Sequence, residues 1–476
     1  MIRIKTSFIQ TTRILLLGTF GLLGALGSMG QTATLSPDEL VNWILKFHPV
    51  ALQADLRIDQ ARSSVRMARG GFDPVLENET AQKTWNGRMY YYYNRPELKL
   101  PTWFGMSVHA GQEFLAGNET LSTDTKGESN YVGVSLSLAK NLLMDKRRAA
   151  LRTAQVVREA SEVEKRIALN DLIKDGLDAY WEWVRAFEQV ALTKKIFSAS
   201  EQRLNLVRTM HAQGDRPAMD TLEAWSQVQQ LAGMLNEAEL QRQTQRRELS
   251  NYLWADDLVA YLIPDTIQPD ASSRRMQAAV LSDEMAKTWV NELPKQNPVL
   301  QRFPFKLQAL NIERKLKFQE LLPDLRFQYN QLGKGYDYAS TWKQPLFQNN
   351  FQYGLKLEMP LRLSMGRGAY QLTKQKIRET QLDQSWKQWS LENKLQNRIL
   401  ESSALQKQID WQEGATRGFE QLMSIEMLRF QQGESSLFLV NTREVRWLES
   451  SSKLLQLKMK SKQTRVAIDQ LMGNLY

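Results

Sequence analysis

Residues Phe351 to Leu363 read FQYGLKLEMPLRL. Every odd-numbered position is apolar, and every even-numbered one is polar, charged, Gly or Pro. Such alternation gives a β-strand one apolar and one polar face. Pro360 supplies no ladder N–H, so the strand is expected to end near Met359. Almost everything around this stretch reads as long helix, sheathed in charge. The apolar face therefore lacks an obvious partner within the chain.

Composition bounds the answer. The chain has 476 residues, 42% hydrophobic and 24% charged, which is enough for a core and too polar for a polytopic helical membrane protein. Arg3, Lys5 and Arg13 precede an apolar run from Ile14 to Leu26, with Ser28 and Gly30 after it. That pattern predicts a secretory signal peptide over 1–30, because the run is shorter than the ~20 residues needed to span a bilayer. The absence of Cys leaves no disulfide and no thiol to carry an N-terminal lipid. Lys and Arg exceed Asp and Glu by ten; without Arg3, Lys5 and Arg13 the balance is 59 against 52. No dense basic cluster interleaved with aromatics occurs, so no nucleic-acid partner is expected.

The chain is a tandem duplication. His48 to Leu76 resembles Asn297 to Leu325, with Pro49 and Pro74 matching Pro298 and Pro323. YVGVSLSL (Tyr131 to Leu138) matches QYGLKLEM (Gln352 to Met359), and MHAQGDRPAMDTLEAW (Met210 to Trp225) matches RFQQGESSLFLVNTRE (Arg429 to Glu444). The first unit is expected over 31–253: a helix opened by Ser36 and Pro37, strands over about 74–140, a long helix over 145–212 and a return helix over 217–253. The second is expected over 284–476, with strands over about 323–361 and helices over 368–432 and 437–472. Pro294, Pro298 and Pro304 should break or kink its opening helix. An Asp-, Pro- and Ser-rich linker or equatorial segment, 254–283, separates the units. Each long helix lacks Pro, carries apolar residues at 3–4 spacing, and would reach ~100 Å at ~1.5 Å per residue.

Aromatics crowd the first strand region (Trp85, Tyr90 to Tyr93, Trp103, Phe104), as in the girdles of outer-membrane barrels. Facing lipid resolves the unpartnered apolar face, provided that the sheet closes. Four to six strands are too few to enclose a wide pore, so a cyclic oligomer is expected. A soluble periplasmic coiled-coil scaffold or adaptor with a small sheet is the alternative reading.

In order and spacing these features resemble the TolC family of outer-membrane efflux proteins. The resemblance rests on the signal peptide, the duplication, the helix starts at His48–Pro49 and Asn297–Leu300, FDPVL (Phe72 to Leu76), LLPDL (Leu321 to Leu325) and the two glycine tips. It covers essentially the whole chain after residue 30. It implies a mainly α fold with a membrane β-barrel part: coiled-coil hairpins forming an α-barrel, and strands shared in a trimeric 12-stranded barrel. It implies a homotrimer in the outer membrane bilayer, working with a periplasmic adaptor and an inner-membrane transporter. Acidic residues after the tip glycine can line the closed aperture in that family, which maps to Asp220 and Glu223. The equivalent positions of the second tip are Leu439 and Thr442, a departure from the acidic pattern. Adaptors of the family grip both tips, which implicates Gly214, Asp215, Gly433 and Glu434.

No catalytic constellation is present. His48, His109 and His211 lie far apart on different elements, and there is no HExxH, no Cys cluster and no GxSxG. Gly333-Lys334-Gly335 lacks the spacing of a phosphate loop. Neither an enzyme nor a cofactor is expected.

Overall fold

The structure, a computed structural model, describes residues 34–117, 125–276 and 283–476. The expected signal peptide over 1–30 lies outside the described residues. Strand β1 (Thr34–Leu35) leads into α1 (Pro37–Phe47). The Ser36 hydroxyl accepts from the Glu39 N–H at 3.3 Å, and the Glu39 carboxylate accepts from the Ser36 N–H at 2.8 Å. This capping box and the proline at the first position start the helix. His48 then breaks the rod, and α2 (Pro49–Arg69) resumes it.

Four strands follow: β2 (Val75–Trp85), β3 (Arg88–Pro101), β4 (Met106–Ala116) and β5 (Gly127–Ser137). Helices α3 (Lys146–Ala212) and α4 (Ala218–Ser250) form the first long hairpin. The described part of the segment between the units carries short elements: β6 (Trp254–Ala255) pairs with β7 (Val259–Ala260), and β8 (Gln268–Pro269) pairs in parallel with β1 before α5 (Ala271–Arg275). Tyr180 of α3 ties this belt down, its hydroxyl donating to the Leu35 carbonyl at 2.8 Å. Around it Leu40, Ile44, Ile173, Trp183, Val184 and Leu249 form the largest core cluster. Gly176 stands where α1 comes closest, because a Cβ there would lie 2.6 Å from Ile44 Cδ1.

The second half repeats the order with two strands in place of four. Helices α6 (Asp283–Gln296) and α7 (Pro298–Gln319) are interrupted at Asn297, whose side chain accepts from the Leu300 N–H at 3.2 Å. Pro298 starts α7, while Pro294 and Pro304 lie inside the helices and do not end them. Strands β9 (Asp324–Lys334) and β10 (Phe351–Glu358) flank the short helix α8 (Tyr338–Lys343). The second hairpin is α9 (Ser364–Gln431) and α10 (Leu437–Met472).

All six long strands join one antiparallel sheet in the order β10-β9-β5-β4-β3-β2. Its register sorts the residues into two faces. On the first, Leu355 pairs with Phe327, Phe327 with Leu136, Val134 with Val108, Leu98 with Ala110 and Leu76 with Leu98. An apolar band therefore crosses every strand. The second face is laced with polar contacts: Lys99 to Glu77 (2.7 Å), Arg95 to Glu113 (2.5 Å), Tyr93 to Glu79 (2.6 Å) and His109 to Asn330 (2.7 Å). The apolar side chains of β10 have no cover in one copy, with Tyr353, Leu355 and Leu357 each more than 60% exposed. Strand β10 ends at Glu358, two residues before Pro360, where the ladder loses its donor.

Candidate channel tip

Both hairpins turn through a glycine at the end remote from the sheet. The Asp215 N–H reaches back to the Met210 carbonyl (2.9 Å) and the Gly214 N–H to His211 (3.0 Å). At the second turn Glu434 reaches Arg429 (2.9 Å) and Gly433 reaches Phe430 (3.1 Å). These bonds satisfy the last carbonyls of α3 and α9 and require a left-handed residue at the turn. Gly214 and Gly433 supply it, with φ of +86° and +80°. Both glycines, with Asp215 and Glu434, are exposed.

The two turns are held together. Leu204 and Val207 of α3, Ala224 and Val228 of α4, Phe430 of α9, and Leu437 and Val440 of α10 form one core cluster. Arg216 bridges its edge: its guanidinium lies 4.6 Å from the centre of the Phe430 ring and donates to the Phe430 carbonyl at 3.4 Å. Asp220 pairs with Arg216 at 3.6 Å, so this carboxylate steadies the bridge. Glu223 accepts from Asn441 Nδ2 at 3.4 Å, a second link between the hairpins. Leu439 is 41% exposed, and Thr442 donates to the Phe438 carbonyl at 2.8 Å.

Deeper along the same seam Arg203 of α3 meets Glu444 of α10, its two terminal nitrogens 2.5 and 3.4 Å from the two carboxylate oxygens. Both side chains are less than 5% exposed. Burial pushes the Glu444 carboxyl up from its ordinary value, outweighing the guanidinium that pulls it down. Among the described residues no group of His, Asp and Glu is placed to hold a metal, and no helix is long and apolar enough to cross a membrane.

Comparison with known proteins agrees with this architecture. Residues 40–253 match the family model described as outer membrane efflux protein. Among solved structures, CusC has a TM-score of 0.66 at 13% identity, over 94% of this chain and 95% of that one. The CmeC outer membrane channel of Campylobacter jejuni (TM-score 0.64, 14% identity, 92% and 86% covered) and VceC of Vibrio cholerae (0.63, 15%, 92% and 96%) share the fold. No curated protein gives a significant sequence match. Over residues 40–253 the chain is similar to the outer membrane efflux protein family, and its fold is that of the outer-membrane channels above.

Within this chain, the sequence-derived tip residues divide into two sets. Asp220 and Glu223 reach the second hairpin, one through Arg216 and one through Asn441. Leu439 and Thr442 belong to the first turns of α10 and make no comparable link in the contacts above. The residues that sequence reasoning passed over are Arg203, Arg216, Asn441 and Glu444. A signal for Glu444 exists: it follows Val440 by four and precedes Trp447 by three, so a charge occupies an apolar seam.

Proposed function

We propose that three copies assemble into an outer-membrane exit duct of a tripartite efflux or secretion system. Conduction through it is passive, and an inner-membrane transporter coupled through a periplasmic adaptor supplies the energy. The observation that carries this reading is the two-faced sheet, apolar across one face and charged across the other, with both edges open. Such a sheet is stable in a bilayer when it closes with its charged face on water. A second feature supports assembly. Trp389, Leu400, Trp411 and Leu422 recur every 11 residues along α9, about three helical turns, and all are exposed. They form a straight apolar stripe that a neighbouring copy would cover.

The helical hairpins form the periplasmic tunnel, and their tips form its aperture. Asp220, Glu223, Leu439 and Thr442 are the proposed gate positions. Gly214, Asp215, Gly433 and Glu434 lie in the surface that an adaptor grips. Exposed Met219, Leu222 and Phe438 beside the turns give that surface apolar purchase. The test is conductance of the purified protein in planar bilayers. Replacing Asp220 and Glu223 together by Ala removes the carboxylate that steadies Arg216 and the Glu223–Asn441 link, and should raise single-channel conductance severalfold. Unchanged conductance would remove the two carboxylates from the gate. Recovery of the protein as a monomer in the soluble periplasmic fraction would end the channel reading altogether.

A further inference from the structure

One hollow beneath the sheet carries positive charge that nothing in the chain answers. It lies where α3, α7 and α9 meet and encloses about 560 Å³. Arg152 enters it from α3, and Arg314 and Lys315 from α7. Phe318 of α7 and Tyr370 of α9, with ring centres 6.0 Å apart, wall one side. Leu143, 72% exposed, stands on the rim nearest the sheet. No described carboxylate lines the hollow. The neighbouring acids of α7 are engaged elsewhere, Glu313 with Lys376 at 3.6 Å and Glu320 with Lys317 at 3.0 Å. Arg152 reaches only the Met144 sulfur, at 3.9 Å.

The hollow opens on the apolar side of the sheet. Lys317 and Glu320 share a different hollow with Asp324, whose even position in β9 puts it on the charged face with Asn330. Arg314, Lys315 and Phe318 point roughly 140° away from that pair around α7, at 100° per residue. The height also fits. Arg152 is six residues into α3 and Arg314 five from the end of α7, about 9 and 8 Å along those rods. Long basic side chains there can reach up into a headgroup layer of about 5–8 Å. The flanks of α7 are α3 and α9 of the same chain, so one copy completes the site.

We infer that this hollow binds the phosphodiester headgroup of an anionic phospholipid from the membrane leaflet facing the periplasm. This rests on the outer-membrane reading above and adds a lipid site to it. The two guanidiniums offer forked donors to phosphate oxygens, and Lys315 adds a third charge. The acyl chains rise past Phe318 and Leu143 onto the apolar face of the sheet. Three cations without a carboxylate disfavour a headgroup that carries its own amine, so the preference is for net negative lipid.

The test is native mass spectrometry of the purified full chain in detergent, titrated with dioleoyl-phosphatidylglycerol or dioleoyl-phosphatidylethanolamine. The parent should retain one phosphatidylglycerol per chain in preference to phosphatidylethanolamine. Arg152→Gln, Arg314→Gln and Lys315→Gln together should weaken phosphatidylglycerol about tenfold or more. Arg152→Lys with Arg314→Lys keeps the charge and should keep most of the preference, which separates lost recognition from lost fold. A control removes equal charge from the α2–α3 hollow, where Glu159 and Glu162 stand among the arginines: Arg66→Gln, Arg69→Gln and Arg158→Gln. It should bind like the parent. A Gln variant that keeps the preference, or a control that loses it equally, overturns the site. So does displacement of the lipid by millimolar inorganic phosphate, which would make this a site for free anion. Cell fractionation tests the underlying reading separately. Parent protein in outer membranes without the lipid preference sinks the site alone, and parent protein absent from that membrane sinks the reading beneath it.

Discussion

Arg203→Met isolates the buried pair at the tip. The guanidinium and carboxylate are both nearly inaccessible and bonded through two contacts, so removing one partner strands the other. Breaking a buried pair in this way costs about 3–5 kcal/mol, whereas replacing both ends by apolar groups is near neutral or favourable by about 1–4 kcal/mol. The loss falls on the local opening that separates α3 from α10, because Leu204 and Val207 of α3 share one core cluster with Val440 of α10. At about 1.36 kcal/mol per tenfold, hydrogen exchange of amides near Leu204 to Val207 and Val440 to Leu448 should accelerate roughly 160- to 4,700-fold. Amides of β4 and β5, at the other end of the molecule, should not change. Arg203→Met combined with Glu444→Leu should return the tip's protection to the parent's level or above it. The pH dependence has a defined sign. The Glu444 carboxyl titrates above its unfolded value, so folding favours its protonated form, and its unfavourable contribution grows as pH rises through the raised value. Without Arg203 the value rises further, so lowering the pH from 8 to 5 should restore part of the lost protection. A single variant that exchanges like the parent, or one that loses protection as pH falls, would refute this account of the pair.

Two further outcomes are expected. Gly214→Ala and Gly433→Ala meet open space, since nothing lies within 4 Å of the added carbon, but each forces a left-handed alanine. Each should cost about 1–2 kcal/mol, read as faster limited proteolysis at the altered turn and not at the other. Gly133→Ala would bring its new carbon within 2.2 Å of Asn330 Oδ1 and 2.6 Å of His109 Nε2. It should separate that buried pair and lower the midpoint of barrel unfolding in urea, by about 1–3 kcal/mol in stability.

The long helices were legible because nothing in them contradicts a helix for 67 and 68 residues, and their apolar residues recur at helical spacing. Strand β10 was legible from its alternation, and Pro360 marked its end. The sheet's extent was harder to read. Strand β2 (VLENETAQKTW) has Glu77, Glu79 and Lys83 on one face and Asn78, Thr80 and Gln82 on the other, so no hydrophobic period marks which face it buries. Its place comes from β3, through cross-strand pairs that a single sequence does not display. The tip was half legible. Acids in the first turn of α4 suit a helix N-terminus wherever they point, and only the position of Arg216 over Phe430 turns Asp220 into part of a bridge. Arg203 and Glu444 sit 241 residues apart, and each reads alone as one more charge on a charged rod.

Helices α3 and α9 differ in length by a single residue, 67 against 68, although their sequences have diverged. Each therefore acts as a gauge, setting its turn at a level within about 2 Å of the other. Inserting one residue into either would lower that turn by about 1.5 Å and rotate everything beyond it by about 100°. Arg203 would then swing away from Glu444, and Phe430 from Arg216. Length changes in this chain can survive only as matched pairs, one in each half, or as whole groups of 11 residues that restore the angle, and evolution of the tunnel's reach is quantised accordingly.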